Sequence, residues 1–266
     1  NSLVGIGTLD EARELVSEAA GGPLFNLFVE NIVRGAAQDM AKVGDLADAD
    51  ASETQAARGA MAEARLGIDP LKAMFDILAA SRLDAEIAKE VNLNLFGWQN
   101  KPEEIRDSNL YRNAIKITSG IELFHFPVAF PDVFSRKRPG FDVMIGNPPW
   151  KEATIEEDDF WTRVWPGLQG LPQSQQEDVK KKLRKDRPDL TSKYKNELET
   201  MNFLRKALLS GDFPGIGTGD PDLYKAFCWR FWNLLSDQSG YLGFVLPRTA
   251  WSAKGSYEFR KQVFEN

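Results

Sequence analysis

The tightest constraint in this sequence is the stretch Phe141-Asp142-Val143-Met144-Ile145-Gly146-Asn147-Pro148-Pro149-Trp150. Its first part is short, apolar and closed by glycine, which suits a buried strand of a parallel sheet. Its second part cannot prolong that strand, because two successive prolines lack N–H groups and fix φ near −65°. The chain must leave the sheet at Asn147. A second apolar run, Tyr241-Leu242-Gly243-Phe244-Val245-Leu246-Pro247, reads as another buried strand and ends at Arg248. Between the two, helical spacing is predicted over 193–210. After the loop Pro214-Gly215-Ile216-Gly217-Thr218-Gly219 a further helix is predicted through Leu235, with Asp220 as N-cap and Pro221 as its first residue. Strand, helical crossover and strand make an α/β alternation, and ligands of such sheets bind beyond the carboxyl ends of the strands. Asn147 and Arg248 both fall there.

The preceding part of the chain is a different object. Helices are predicted over 8–37 with a break at Gly21-Gly22-Pro23, over 55–66, and over 70–91, where Asp69 would cap and Pro70 would occupy the first turn. Residues 42–54 are acidic and Ala-rich, suited to an exposed loop or a solvated helix. From Ile121 to Phe134, aromatic and branched residues interrupted by Pro127 and Pro131 predict an extended, bent segment. Residues 1–119 are thus expected to form a helical region, an insertion or spacer, and residues 120–266 the α/β part. Lys and Arg number 12 against 19 Asp and Glu in the first part, and 21 against 20 in the second. Neither part is basic enough for its total charge to announce a nucleic-acid binder, so such binding must rest on a local site.

Several classes drop out. One cysteine, Cys228, and one histidine, His125, cannot build a zinc cage or a disulfide framework. No metal site is expected. No apolar run approaches the roughly 20 residues of a bilayer span, and the N-terminus lacks a signal-peptide layout, so no membrane partner and a cytoplasmic location are expected. A start at Asn1 and an end inside a helical pattern at Phe264-Glu265-Asn266 read as a piece of a longer polypeptide.

The corner itself suggests chemistry. Asn147 offers an amide oxygen, the stiffened turn can present the carbonyls of Asn147 and Pro148, and Trp150 adds a flat apolar face. Together they suit a planar ring bearing an exocyclic amine, such as adenine. Two acceptors drawing on the amine hydrogens favour a pyramidal nitrogen with its lone pair directed at an electrophile, so the residues act by orientation and electrostatics. In a duplex that base would have to be rotated out of the stack.

At this point a resemblance enters. The stretch Phe141–Trp150 resembles the (Asp/Asn/Ser)-Pro-Pro-(Tyr/Phe/Trp) motif of adenine-N6 DNA methyltransferases, in particular the large enzymes of restriction-modification and phage-defence systems of the type IIG, BREX or DISARM kind. Upstream, Phe124-His125-Phe126-Pro127-Val128-Ala129-Phe130-Pro131-Asp132-Val133-Phe134 is similar to a block found before the catalytic strand. Downstream, Asp222-Leu223-Tyr224-Lys225-Ala226-Phe227 and Gly240–Pro247 answer two further blocks in order. The resemblance covers about residues 120–266. It implies a partial Rossmann-like methyltransferase sheet preceded by a mainly helical region, with S-adenosylmethionine as cofactor and double-stranded DNA as partner. Asn147, Pro148, Pro149 and Trp150 would be the catalytic residues. The family's Gly-rich cofactor motif is not present in its place: Gly5-Ile6-Gly7 has no preceding strand, and Gly215–Gly219 follows the catalytic motif. A cofactor-binding segment upstream and a target-recognition domain downstream are therefore expected in the parent polypeptide, and this piece alone is expected to be inactive.

Secondary candidates are weaker. Asp142 is either a group near the cofactor or a plain strand-start residue. Lys181, Lys182 and Arg184, in the run 180–187, either meet DNA phosphates or form a solvated helix face. Arg248 either meets a phosphate or makes a surface ion pair. The loop 214–219 either closes over the base or simply connects. His125 is expected to pack among Phe124 and Phe126, and Tyr224 and Phe227 to lie in the core. Two other functions stay open: methylation of an RNA or protein amine, and a methyltransferase-fold subunit for DNA recognition or assembly without catalysis.

Overall fold

The apolar stripe Leu71, Met74, Phe75 and Leu78 is fully buried in the C-terminal third of the longest helix among the described residues. The computed structural model describes residues 1–16, 22–44, 51–211, 213–217, 221–237 and 240–265. Helix α1 is Leu9–Glu14, started by a capping box between Thr8 and Glu11. Next come α2 (Pro23–Gly44), α3 (Ala51–Ser81), α4 (Ala85–Asn100) and α5 (Asn109–Ile117). Residues 45–50 of the acidic stretch, and Gly21, lie outside the described residues.

Two sequence-based boundaries are corrected here. Pro70 does not start a helix but lies inside α3. A proline there removes one hydrogen bond and crowds the carbonyl four residues back. That residue, Leu66, is 75% exposed, so water can take its carbonyl, while the wholly buried turns from Leu71 onward hold the helix together. Asp69, expected as its cap, instead receives the guanidinium of Arg106. The helix predicted over 70–91 also breaks, at Arg82-Leu83-Asp84. There Asp84 accepts from the N–H groups of Glu86 (2.9 Å) and Ile87 (3.2 Å) and caps α4. Asp84→Ala is expected to cost about 1 kcal/mol of stability, read as a lower urea midpoint at unchanged slope.

Residues 121–135 are extended only at first. Phe124 N–H donates to Asn1 O (3.2 Å) and Phe126 N–H to Ile6 O (2.9 Å), so this segment lies against the N-terminal strap. Two short helices follow, α6 (Phe126–Ala129) and α7 (Pro131–Ser135), in place of the predicted bent strand. Pro127 and Pro131 sit in their first turns, where a fixed φ favours helix and the missing N–H costs nothing.

Strands β1 (Val143–Gly146) and β2 (Tyr241–Phe244) pair in parallel, Val143 opposite Tyr241 and Gly146 opposite Phe244. Gly140 enters the sheet at φ 107°, and a Cβ there would strike the carbonyl of Leu235. The crossover contains α8 (Glu157–Val164), α9 (Gln173–Asp186), α10 (Pro188–Ser210) and α11 (Leu223–Asn233). Helix α10 starts at Pro188 rather than 193. Helix α11 starts after Asp222, with Pro221 still outside it, and Asp220 lies outside the described residues, as do Thr218 and Gly219. The chain closes with α12 (Thr249–Ser252) and α13 (Tyr257–Glu265).

The strands were expected to be buried on both faces, and only one face is. Met144 packs with Phe231 of α11 against the main helical core, and Phe244 and Leu246 join Tyr224, Trp229 and Phe259. On the outer face Val143 is 53% exposed, Ile145 82% and Tyr241 74%. Both strands have the apolar composition of doubly covered strands, yet the described residues cover one face only. No helix among the described residues is long and apolar enough to cross a membrane.

Candidate active site

The corner after β1 is braced on both sides. Val245 N–H donates to Gly146 O (3.2 Å), carrying the parallel ladder one residue past β2. The Trp150 indole N–H then donates to Val245 O (3.3 Å), tying the far end of the corner to the neighbouring strand. Beyond it, Ala153 N–H donates to Pro221 O (2.8 Å) and Leu223 N–H to Lys151 O (3.0 Å), an antiparallel contact centred on Glu152 and Asp222. Gly146 lets this happen, since a Cβ there would lie 3.1 Å from the Phe244 ring. Within the corner Pro148 is buried, whereas Asn147, Pro149 and Trp150 are exposed. Trp150 thus keeps half of its surface open beside an exposed carboxamide, and no proline N–H is left to satisfy.

Arg248 follows β2 on the same carboxyl edge and is exposed. The structure therefore brings Asn147, Trp150 and Arg248 to one edge. Asp142 lies at the other end of β1, exposed and paired with Arg136 (3.2 Å). Lys181 and Lys182 are exposed on α9, away from the corner in sequence and element. Arg184 is half-buried and gives its guanidinium to Glu157, which also accepts from the Trp161 indole N–H (2.9 Å). Those contacts outweigh burial and hold the Glu157 carboxyl below its ordinary range.

His125 is buried, but not simply among phenylalanines. Ile6 N–H donates to its Nδ1 (2.9 Å), so the ring proton sits on Nε2, which faces Asp76 Oδ1 at 3.0 Å. Asp76 also receives Lys72 (2.9 Å), and Phe75 meets the imidazole edge-on. Burial pushes the His125 pKa down and so favours the neutral ring. Tyr224 is buried with its hydroxyl 3.3 Å from Ser256 Oγ, and Phe227 packs, partly buried, against the cluster that holds Leu3, Leu204 and Leu223.

A buried ion cluster escaped sequence reasoning. Glu11 receives both Arg82 and Arg230 (2.6 Å to the latter), together with the N–H of Gly7. Arg230 also donates to Leu3 O (2.8 Å) and Gly5 O (3.1 Å), and Arg82 to Val4 O (2.9 Å). The one available signal was a charge inside a helix whose neighbours are all apolar. This cluster lines a cleft of about 920 Å³ that reaches Gly240 and Tyr241, at the amino end of β2 and opposite the corner.

At three glycines of the glycine-rich stretches no cradle for S-adenosylmethionine is left open. A Cβ on Gly5 would strike the Phe124 backbone, and one on Gly7 the Arg230 guanidinium. One on Gly215 would strike the backbone of Phe259. Gly5, Gly7 and Gly215 thus make room for protein atoms and not for a cofactor, whereas Gly217 borders open space. Among the described residues no cluster of His, Cys, Asp or Glu could hold a metal ion.

A parallel strand pair opening at its carboxyl edge onto an Asn-Pro-Pro-Trp corner is compatible with a partial methyltransferase fold, and the protein is a methyltransferase of the restriction-modification type. More particularly, the family model described as Eco57I restriction-modification methylase matches residues 77–266, and the chain belongs to that family. The match begins within α3, upstream of residue 120. No curated protein and no solved structure gives a significant match.

Proposed function

We propose that this chain carries the catalytic corner of a DNA adenine-N6 methyltransferase of a restriction-modification or phage-defence system. The observation that carries the reading is the braced corner: an exposed carboxamide and a half-open indole held at the carboxyl edge of two parallel strands. In this reading the Asn147 side-chain oxygen accepts one N–H of the adenine amine and a backbone carbonyl of the corner accepts the other. Trp150 stacks on the extruded ring and Arg248 meets a flanking phosphate. No general base is required of the protein, since orientation and desolvation do the work.

S-adenosylmethionine is the proposed methyl donor, held by a segment upstream of these residues. The bare outer face of β1 and β2 gives that segment an apolar surface to cover. Sequence choice on the duplex belongs to a target-recognition domain downstream, and residues 1–119 act as a helical insertion or spacer that shares a core with the catalytic part.

The test joins the chain to its upstream segment and offers labelled S-adenosylmethionine with duplex DNA, RNA or peptide, followed by nucleoside and amino-acid analysis. N6-methyladenine from DNA is the expected product. Label in RNA or peptide instead would move the activity to another amine, and no transfer to any of the three would favour an assembly subunit.

A further inference from the structure

We propose that the lysine-bearing end of the α9–α10 hairpin is a clamp for the phosphate backbone of duplex DNA, standing off from the corner on its own small lobe. The inference rests on the DNA-methylating reading above and gives that substrate a second, sequence-blind contact. The lobe has its own core of Phe160, Trp161 and Leu168, with Val179, Leu183 and Tyr194 packed against it. It departs from the carboxyl edge, since α8 begins shortly after Ala153 is fastened to Pro221. Helix α10 is its strut: Leu204, Ala207 and Leu208 are buried in the body with Leu3, Val4 and Ala79, whereas Leu190 and Tyr194 belong to the lobe. At 1.5 Å per residue the basic end is carried roughly 24 Å from Leu204.

The ion pairs decide which cations are free for a partner. Lys180 is buried between Asp158 (2.6 Å) and Glu177, Arg184 holds Glu157, and Arg187 holds Asp189 (2.8 Å). Lys181, Lys182, Lys185, Lys193 and Lys195 are exposed, and among the described residues none has an ion-pair partner. Asp178 and Asp186 on α9 and Glu199 on α10 are exposed acids without an ion-pair partner among the described residues. Lys181, Lys182 and Lys185 fall within about one and a half turns of α9, and Lys193 and Lys195 stand on the helix packed against it. No large hydrophobic residue between Pro172 and Leu208 is strongly exposed. A protein partner would need an apolar or aromatic anchor at the centre of such a face, whereas phosphates need only the charge.

The experiment measures binding of the chain to a labelled DNA duplex across a salt series. Replacing all five lysines by glutamine is expected to flatten the slope of log K against log salt by about 4 to 5, at 0.9 per phosphate contact, equally for unrelated sequences. The matching five Lys→Arg changes are expected to retain the slope. A glutamine variant within about one unit of the unmodified slope would overturn the clamp, as would tighter binding of single-stranded RNA than of duplex. Asn147→Ala is expected to keep the full slope. A flattened slope together with no N6-methyladenine would instead sink the functional reading and leave the clamp standing.

Discussion

Replacing Asn147 by alanine is expected to slow methyl transfer to DNA by about 10²- to 10³-fold, the scale of removing one positioned hydrogen-bonding group from a reacting centre. The measurement is single-turnover label incorporation by the polypeptide that includes the upstream segment. Stability should hardly move, within about 0.5 kcal/mol, because Asn147 is exposed and its carboxamide makes no hydrogen bond among the described residues. Duplex affinity should also hold, since phosphate contacts rather than one amide dominate it. The loss therefore falls on the chemical step. Asn147→Asp keeps an acceptor oxygen at the same place and is expected to retain more activity than the alanine form. An alanine variant working at the full rate would leave the corner without a role.

The parts that were readable in the sequence are those fixed by neighbours along the chain. Asn147 to Trp150 form a contiguous corner, and a strand stopped by two prolines can do little except turn out of the sheet. The existence of the two strands and the helical character of the first 119 residues are likewise carried by local composition and periodicity. What could not be read depends on distant groups. Pro70 looks like a helix start, and only the buried turns after it and the exposure of Leu66 make a continuous helix the better solution. Arg184 looks as available as Lys182 until Glu157, many residues earlier, is placed beside it. The strands look doubly buried from their apolar composition alone, and only the placement of the surrounding helices shows that Val143, Ile145 and Tyr241 are left exposed. His125 was rightly assigned to the interior, but its partners Ile6 and Asp76 come from two other elements.

The same distance effect makes Glu11 the side chain whose loss should destabilise the protein most. Its carboxylate ties α1 to Arg82 at the end of α3 and to Arg230 in α11, and through those guanidinium groups to the carbonyls of the N-terminal strap. Burial alone would push its pKa up, but Arg230 and Arg82 outweigh it and bring the carboxyl down to about 2 from an ordinary 4.5. Glu11→Gln leaves two guanidinium groups facing each other in a site where Arg230 is 4% exposed and its Nε already lacks a partner. Removing one member of a buried ion cluster costs about 3–5 kcal/mol, so the urea midpoint should fall sharply. The pH dependence has a definite sign. Since the folded pKa lies below the unfolded one, the stabilisation is complete above about pH 4.5 and is lost as pH falls towards about 2, on the order of 3 kcal/mol in all. His125 also loses stability on acidification, because burial holds its folded pKa below 6.5; Glu11 raises that pKa only as the smallest of the influences on it, so most of this loss is common to both proteins. The difference between the unmodified chain and Glu11→Gln therefore isolates Glu11: it should be largest near neutral pH and shrink through the acid range. A difference that stayed constant down to about pH 2 would show that the arginines are held by something other than this carboxylate.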